Sequence, residues 1–406
     1  MFCPGCGKEL KENQKFCPDC GMEIVSTPKV LDQVRPAATE VHKKPIHVGT
    51  SRKKGAKVGI IITLLVVTGL GIFGIVTALN WGEADGNAEF FYINASPSST
   101  ESIKIDVDVS DLTINYVTSP FAPIIEIQMT YHAAGGFVKD KVMSDLYNIG
   151  WDNLSAIKTF YMHVKPFGGW VFIHDIDIEV SLRTDIIYNI DIDISTGDTT
   201  MNLPDDITIG DLSLVGSTGS VFVNAGSNIT FQESIFAQYS TGHITIHADN
   251  ASFLTDIYTE TSTGNIELNF TNSVISGDIV AHLSTGNFAL NLYNPVYLAP
   301  GNWLFTSSTG SIYLDIYQHN QLTSDITGNI ETSTGSIHLN YNGDAFNSGM
   351  EVSSSVSTGN YVYTNNGGFS QDGHIFHSTN YQSIPNIYSF DLDVSTGNIY
   401  VTGISI

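Results

Sequence analysis

The chain has 406 residues, too many for one ordinary domain of roughly 100–200 residues, and its 42% apolar content excludes wholesale disorder. Lys and Arg total 17 against 41 Asp and Glu, a formal charge of −24, yet only 14% of residues are charged, so the imbalance is a shortage of bases rather than a surfeit of acids. The first 80 residues hold 11 basic and 6 acidic residues, the rest hold 6 and 35, and no Lys or Arg follows Arg183. A segment without a basic face does not neutralise a phosphate backbone, which excludes nucleic-acid binding by the large part. All four Cys lie within the first 20 residues, so the remainder has no disulfide framework.

Residues 1–24 read MFCPGCGKELKENQKFCPDCGMEI and contain Cys3-x2-Cys6 and Cys17-x2-Cys20. Two CxxC knuckles supply four thiolates that can converge tetrahedrally on one Zn²⁺, and the Gly after each second Cys lets backbone amides approach the sulfurs. A segment this short cannot bury enough core to fold alone, so metal binding would supply its folding free energy. Four thiolates leave no open position, which makes the predicted site structural. A redox pair or two disulfides are the competing readings; the doubled motif and a cytoplasmic location disfavour both.

Residues 25–57 are polar and basic, carry Pro28, Pro36 and Pro45, and read as a flexible tether. Residues 58–79, VGIIITLLVVTGLGIFGIVTAL, contain no charge and are long enough to cross a bilayer of about 30 Å. A secretory signal peptide would start near residue 1 with a shorter apolar run, so a retained transmembrane helix is expected. Lys43, Lys44, Arg52, Lys53, Lys54 and Lys57 precede it, and Glu83, Asp85 and Glu89 follow. This bias places the N-terminus in the cytoplasm and the acidic bulk outside, in a single-pass cell-membrane topology with Trp81 as an interfacial anchor. Residues 80–100 read as a second linker.

From residue 101 the pattern is strand-like. Ile103, Ile105, Val107 and Val109 alternate with polar residues, as on a half-buried strand. Val138, Val142, Leu146 and Ile149 approximate a helical face and predict a short helix within 137–160. Residues 101–190 are expected to form a β-rich cap, and Lys139 to Lys165 hold four of the six external bases. Beyond it, Ser-Thr-Gly begins at Ser195, Ser217, Ser240, Ser262, Ser284, Ser308, Ser333, Ser357 and Ser395, at spacings of 22 to 25 and a last spacing of 38. A repeat at near-constant period means stacked units over 191–406, with the last gap read as a unit carrying an insertion.

Two mainly-β arrangements fit. In an antiparallel sandwich each tripeptide would be a hairpin turn. In a parallel β-helix each would be a corner, with Gly supplying special backbone angles and hydroxyls forming ladders between rungs. The β-helix is favoured, because identical tripeptides make sense where units stack in register. It would then pair Ile266 with residues near 244 and 288, whereas a sandwich would pair it antiparallel with residues just before Ser262.

Residues 1–23 resemble the short zinc-ribbon module at the N-termini of many prokaryotic membrane proteins. The repeats from about residue 185 resemble the adhesin-type β-solenoid family, whose members carry recurrent Ser-Thr-Gly turns before strands. That resemblance implies a solenoid fold and a surface location, with no activity attached.

Several groups have spacings that chemistry could use. Asp175, Asp177 and Glu179, like Asp191 and Asp193, alternate along one strand, as a glycosidase pair or a Ca²⁺ site would require, although a solvated face explains them as well. His243 and His247 share a face at i,i+4 but need a third ligand. Asp372, His374 and His377 cluster in the final insertion. Sequons occur at Asn94, Asn153, Asn228, Asn250 and Asn269. The expectation is a non-enzymatic surface protein whose ectodomain meets an extracellular ligand or envelope component. An envelope polysaccharide-acting enzyme is one alternative. Another is a sensor signalling to a cytoplasmic partner of the ribbon, for which Gly74 and Ala78 offer one small-xxx-small pair.

Overall fold

The computed structural model describes residues 81–94, 99–136, 138, 141–165 and 170–405. The ribbon with Cys3, Cys6, Cys17 and Cys20, the tether 25–57 and the membrane span expected at 58–79 lie outside the described residues. Among the described residues, no helix is long and apolar enough to cross a membrane.

Alternation sets the coil. In strand Ile266–Thr271, Ile266, Leu268 and Phe270 point inward and are fully buried, while Glu267 and Asn269 point out. Each fully buried side chain of this kind contributes about 1.5–3 kcal/mol relative to exposure. Ile266 pairs in parallel with Ile244 on one side and Phe288 on the other. The same one-repeat offset links strands Ile235–Thr241, Ile257–Thr263 and Ile279–Thr285 ahead of the tripeptide. The hairpin sandwich is therefore excluded, and the repeats form a parallel β-solenoid. Strands entering the tripeptide stack as a first sheet, and strands leaving it stack as a second. Two-residue strands such as Ser252–Phe253 and Val274–Ile275 form a short third side.

The Ser-Thr-Gly corner is held by backbone geometry. Gly264 has φ +150° and Gly286 φ +135°, a region L-residues rarely adopt. A Cβ on Gly264 would fall on the carbonyl oxygen of Gly242, and one on Gly286 on that of Gly264. Each glycine N–H donates to the threonine carbonyl of the next rung, as Gly264 does to Thr285 at 2.9 Å. The residue after the glycine completes the corner by accepting the N–H of its counterpart one rung on. Asp198 Oδ1 accepts from Ser220, His243 Nδ1 from Asn265, Asn265 Oδ1 from Asn287, and Asn287 Oδ1 from Ser311. This accounts for Asp, Ser, His and Asn at one position: each carries an acceptor.

The second corner repeats the device with other residues. Asp206, Asn228, Asn250, Asn272 and Asn294 all have φ between 49° and 63°, the left-handed region that Asn and Asp tolerate best among side-chain-bearing residues. At the third corner, Asp256 Oδ1 accepts the N–H of Asp278 at 2.8 Å, and Asp278 Oδ1 accepts that of Asn302 at 2.7 Å.

Several expectations need correction. The linker expected at 80–100 contains strand Trp81–Tyr92, antiparallel to Ile125–Gly136, because Ala84, Phe90 and Tyr92 have a core to pack against. Trp81 opens this strand. A short helix does lie within 137–160, as the single turn Met143–Leu146, but strands Tyr147–Asp152 and Ile157–Val164 follow it and its expected face needs correction. Leu146 is buried but Val142 is exposed, so the four-residue spacing did not define a buried face.

The stack also begins earlier than residue 191. Thr100–Val109 pairs in parallel with Ile187–Thr196, and Asp111–Val117 with Thr199–Leu203. These strands form a rung in which Ser110 takes the glycine's place and donates its N–H to Thr196. On that rung lie Ile157–Val164 and Trp170–Arg183, which pair antiparallel with Tyr147–Asp152 and Ile125–Gly136. The change from parallel to antiparallel pairing caps this end of the coil.

The 38-residue gap conceals a swap of order. Gly349–Asn365 forms the outermost rung, hairpin Phe369–Asp372 and Ile375–Ser378 folds against it, and the chain returns as Ile387–Ser405. This last strand runs between the outermost rung and Ile326–Thr334 with Ile337–Gly343, paired on both edges.

Two substitutions test the corner. Gly264→Val is expected to cost at least about 1–3 kcal/mol in unfolding free energy, from an unfavourable φ and from the collision with the Gly242 carbonyl. Asn265→Ala should cost about 0.5–1.5 kcal/mol, while Asn265→Ser should cost less, since Ser occupies this position in other rungs. Equal stability of the Ala and Ser variants in urea unfolding would refute the acceptor ladder.

Candidate functional site

Four cysteines in two CxxC pairs form an all-thiolate set whose chemistry suits Zn²⁺ in a closed structural site. Bound there, the ion would supply folding energy to residues 1–24 rather than a reactive position.

The other residues singled out from the sequence do not assemble into catalytic or metal sites. Asp175, Asp177 and Glu179 lie on the solvated side of Trp170–Arg183, with Glu179 accepting from Asn115 Nδ2 at 2.9 Å. Partial burial, then the neighbouring Asp175 and Asp111 charges, raise the Asp177 carboxyl above its ordinary pKa. Asp191 is paired at 2.9 Å with Lys104, which the rung before the repeats contributes. Asp193 stands exposed beside it.

His243 is part of the corner ladder, and His247 faces outward on the following strand, 4.0 Å from Glu267. His374 packs against the Tyr361 ring at 4.4 Å, and His377 against Tyr381 at 4.4 Å with a hydrogen bond to Ser370. Asp372 ends its strand in solvent. Among the described residues, no three His, Cys, Asp or Glu side chains converge to hold a metal ion. Of the sequons, Asn228 and Asn250 are exposed at the second corner. Asn269 instead donates to Glu267 and accepts from Asn291 within the sheet.

The surface that the sequence reading missed is the outward side of the second sheet. Successive strands put Asn269, Asn291, Asp315 and Asn340 in one column, each beside its counterpart. Asn291 Nδ2 donates to Asn269 Oδ1 at 2.5 Å, and Asn340 Nδ2 to Asp315 Oδ1 at 2.6 Å. Aromatic rings flank this column two residues away on both sides. On one side Tyr313, His338 and Tyr400 stack face to face, with centroids 4.8 and 4.6 Å apart. On the other, Tyr293 and Tyr317 lie 5.8 Å apart. Tyr293, Tyr313 and Tyr317 are 49%, 38% and 42% exposed.

Burial lowers the His338 pKa, against the opposing pull of Asp315, which favours the neutral ring in this stack. The face therefore presents flat rings around a line of amides and one carboxylate. Aligning the repeats on their tripeptides would have revealed it: the columns Glu267, Ala289, Tyr313, His338 and Thr271, Tyr293, Tyr317, Asn342 appear directly.

Residues 2–24 match the zinc-ribbon domain family. No curated protein matches the chain. Among solved structures, it is similar to a candidate adhesin from Parabacteroides merdae ATCC 43184, at 12% identity over 78% of this chain and 96% of that one, with a TM-score of 0.33. A candidate lipid-binding protein from Parabacteroides distasonis ATCC 8503 is 13% identical over 78% and 96%, with a TM-score of 0.34. A candidate cell adhesion protein from Clostridium sporogenes ATCC 15579 is 10% identical over 78% and 99%, with a TM-score of 0.21.

A peptide of residues 1–24 is expected to bind one metal ion through Cys3, Cys6, Cys17 and Cys20 and to unfold when a chelator removes it. Cobalt substitution reads the site directly. Absence of a tetrahedral tetrathiolate spectrum would refute the assignment.

Proposed function

We propose that the chain is a single-pass cell-membrane protein that holds an acidic β-solenoid outside the cell for adhesion or envelope contact. A structural zinc ribbon then lies on the cytoplasmic side. The observation that carries this reading is the reversal of charge across the uncharged run 58–79. It separates a segment with 11 basic and 6 acidic residues from one with 6 and 35. The fold supports a display role, since the coil is a stiff stack of paired strands with flat outward faces. A binding rather than a catalytic role fits the scattering of its carboxylates and histidines.

A second reading, a sensor that reports an external contact to a partner of the ribbon, is favoured by one feature. Strand Trp81–Tyr92 begins just past the expected span, so little slack separates the paired sheet from residue 79. A load on the solenoid would then reach the membrane segment.

Protease added to intact cells is expected to degrade the segment after residue 80 and to leave a tag at residue 1 protected. The opposite pattern would overturn the orientation and both readings.

A further inference from the structure

The outward face of the second sheet carries large rings in consecutive later rungs, where the earlier rungs of the same column carry small or polar residues and one ring, Phe222. In the column that holds Tyr313 and His338, the preceding rungs place Thr200, Phe222, Thr245, Glu267 and Ala289. The stacked set Tyr313, His338 and Tyr400 has a plain structural use, as a ladder between rungs. Tyr293 and Tyr317 are farther apart and about half exposed, so inter-rung stacking leaves much of their surface unaccounted for.

We propose that this face binds an uncharged polysaccharide, with Tyr293 and Tyr317 stacking on the apolar faces of the sugar rings and Asn291, Asp315 and Asn340 bonding their hydroxyls.

Three observations select this ligand class. A sugar ring has apolar C–H faces and a rim of hydroxyls, and this surface alternates rings with amide and carboxylate groups along each strand, with side chains two residues apart on one face. Charge excludes the anionic classes: no Lys or Arg follows Arg183, while Asp315 and Glu267 lie on the face, so a phosphate, sulfate or uronate would meet only like charge. The repeat of about 4.8 Å between rungs offers the same contact again and again on an open flank, which suits a polymer lying along the surface rather than a small molecule in a pocket. The proposal deepens the display reading by naming the ligand class and the face. Its test uses purified protein, whose binding does not depend on membrane orientation, so each can fail without the other.

The full chain in detergent would be passed over insoluble cellulose and chitin and run in affinity gels containing a mixed-linkage β-glucan. Alginate serves as the polyanionic control and phenyl-agarose as the apolar control. Retention by at least one neutral polymer, none by alginate, and little loss of binding in high salt are expected. Tyr293→Ala and Tyr317→Ala should each weaken binding about fivefold or more, the scale of a central interface tyrosine. Tyr317→Phe should retain binding, because the ring face remains. Thermal unfolding of each variant separates recognition from stacking, and variants that lose stability yet bind as before would overturn the proposal. Failure to bind any of the three neutral polymers, retention by alginate, or equal retention on phenyl-agarose would also overturn it.

Discussion

The solenoid depends on a corner at which no side chain fits. Each glycine carbonyl occupies the place where a Cβ of the next rung's glycine would stand, so consecutive rungs approach as closely as backbones can. That approach brings the next rung's N–H within reach of the side chain after the glycine, and the acceptor there fixes the register. Register matters because a slip of one residue would turn Ile266, Leu268 and Phe270 outward. Glycine and its following acceptor therefore align the rungs, and the alternating apolar residues then close the core. Solenoid stability is nearest-neighbour in character, so a fault at one corner weakens the rungs on either side of it.

The same device employs part of the coil's acidic charge. Asp111, Asp198, Asp205, Asp256, Asp278 and Asp325 each accept a backbone N–H from an adjacent rung at 2.7 to 2.9 Å. A carboxylate satisfied by a main-chain donor needs no lysine or arginine beside it. The few bases of the described residues are concentrated near the capped end, where they do similar work in reverse. Lys158 and Lys165 donate to the carbonyls of Ser155 and Ser144, Lys104 pairs with Asp191, and Arg183 with Asp185. Corner chemistry thus accounts for six of the 35 acidic residues after residue 80, and with so few bases the flanks are repellent to polyanions.

The period, the parallel pairing and the role of the glycines were legible because they recur in one chain. Nine copies of one tripeptide report a constraint repeated nine times. What recurs with varied residues was harder to read. The corner acceptor appears as Asp, Ser, His or Asn, and the left-handed second corner as Asp206 and then Asn228, Asn250, Asn272 and Asn294. The rung at Thr100–Val109 carries no tripeptide, because Ser110 can take the glycine's place at the end of the glycine column. The order of the last two rungs was not legible at all. Ile387–Ser405 and Gly349–Asn365 carry equivalent patterns, and only the pairing shows which lies outside. The four cysteines lie outside the described residues, and the match of residues 2–24 to the zinc-ribbon domain family is what supports their reading.

The aromatic face coincides with a change in the core behind it. From Gly286 onward the repeat lengthens to 24 and 25 residues, and the interior there fills with Tyr297, Trp303, Tyr341, Tyr388 and Phe390. Rings this large widen the coil, and their polar atoms need partners inside it. Tyr388 Oη donates to Gln318 Oε1 at 2.8 Å, Gln318 Nε2 to the Asn320 carbonyl at 2.9 Å, and Tyr341 shares a 2.7 Å hydrogen bond with Ser348. The Trp303 Nε1–H has no partner among the described residues, but the partnered tyrosines and Gln318 favour one arrangement where a purely apolar core could slide. The strands bearing Tyr313, Tyr317, His338 and Tyr400 are backed by this tied interior. Ile387–Ser405, inserted as the last strand, is hydrogen-bonded on both edges behind one of those rings. A flat binding face on an open flank has no pocket walls to hold its side chains in place. Here the rigidity comes from behind, from a core whose rings and hydrogen bonds allow the sheet one register and therefore one spacing of the rings it presents.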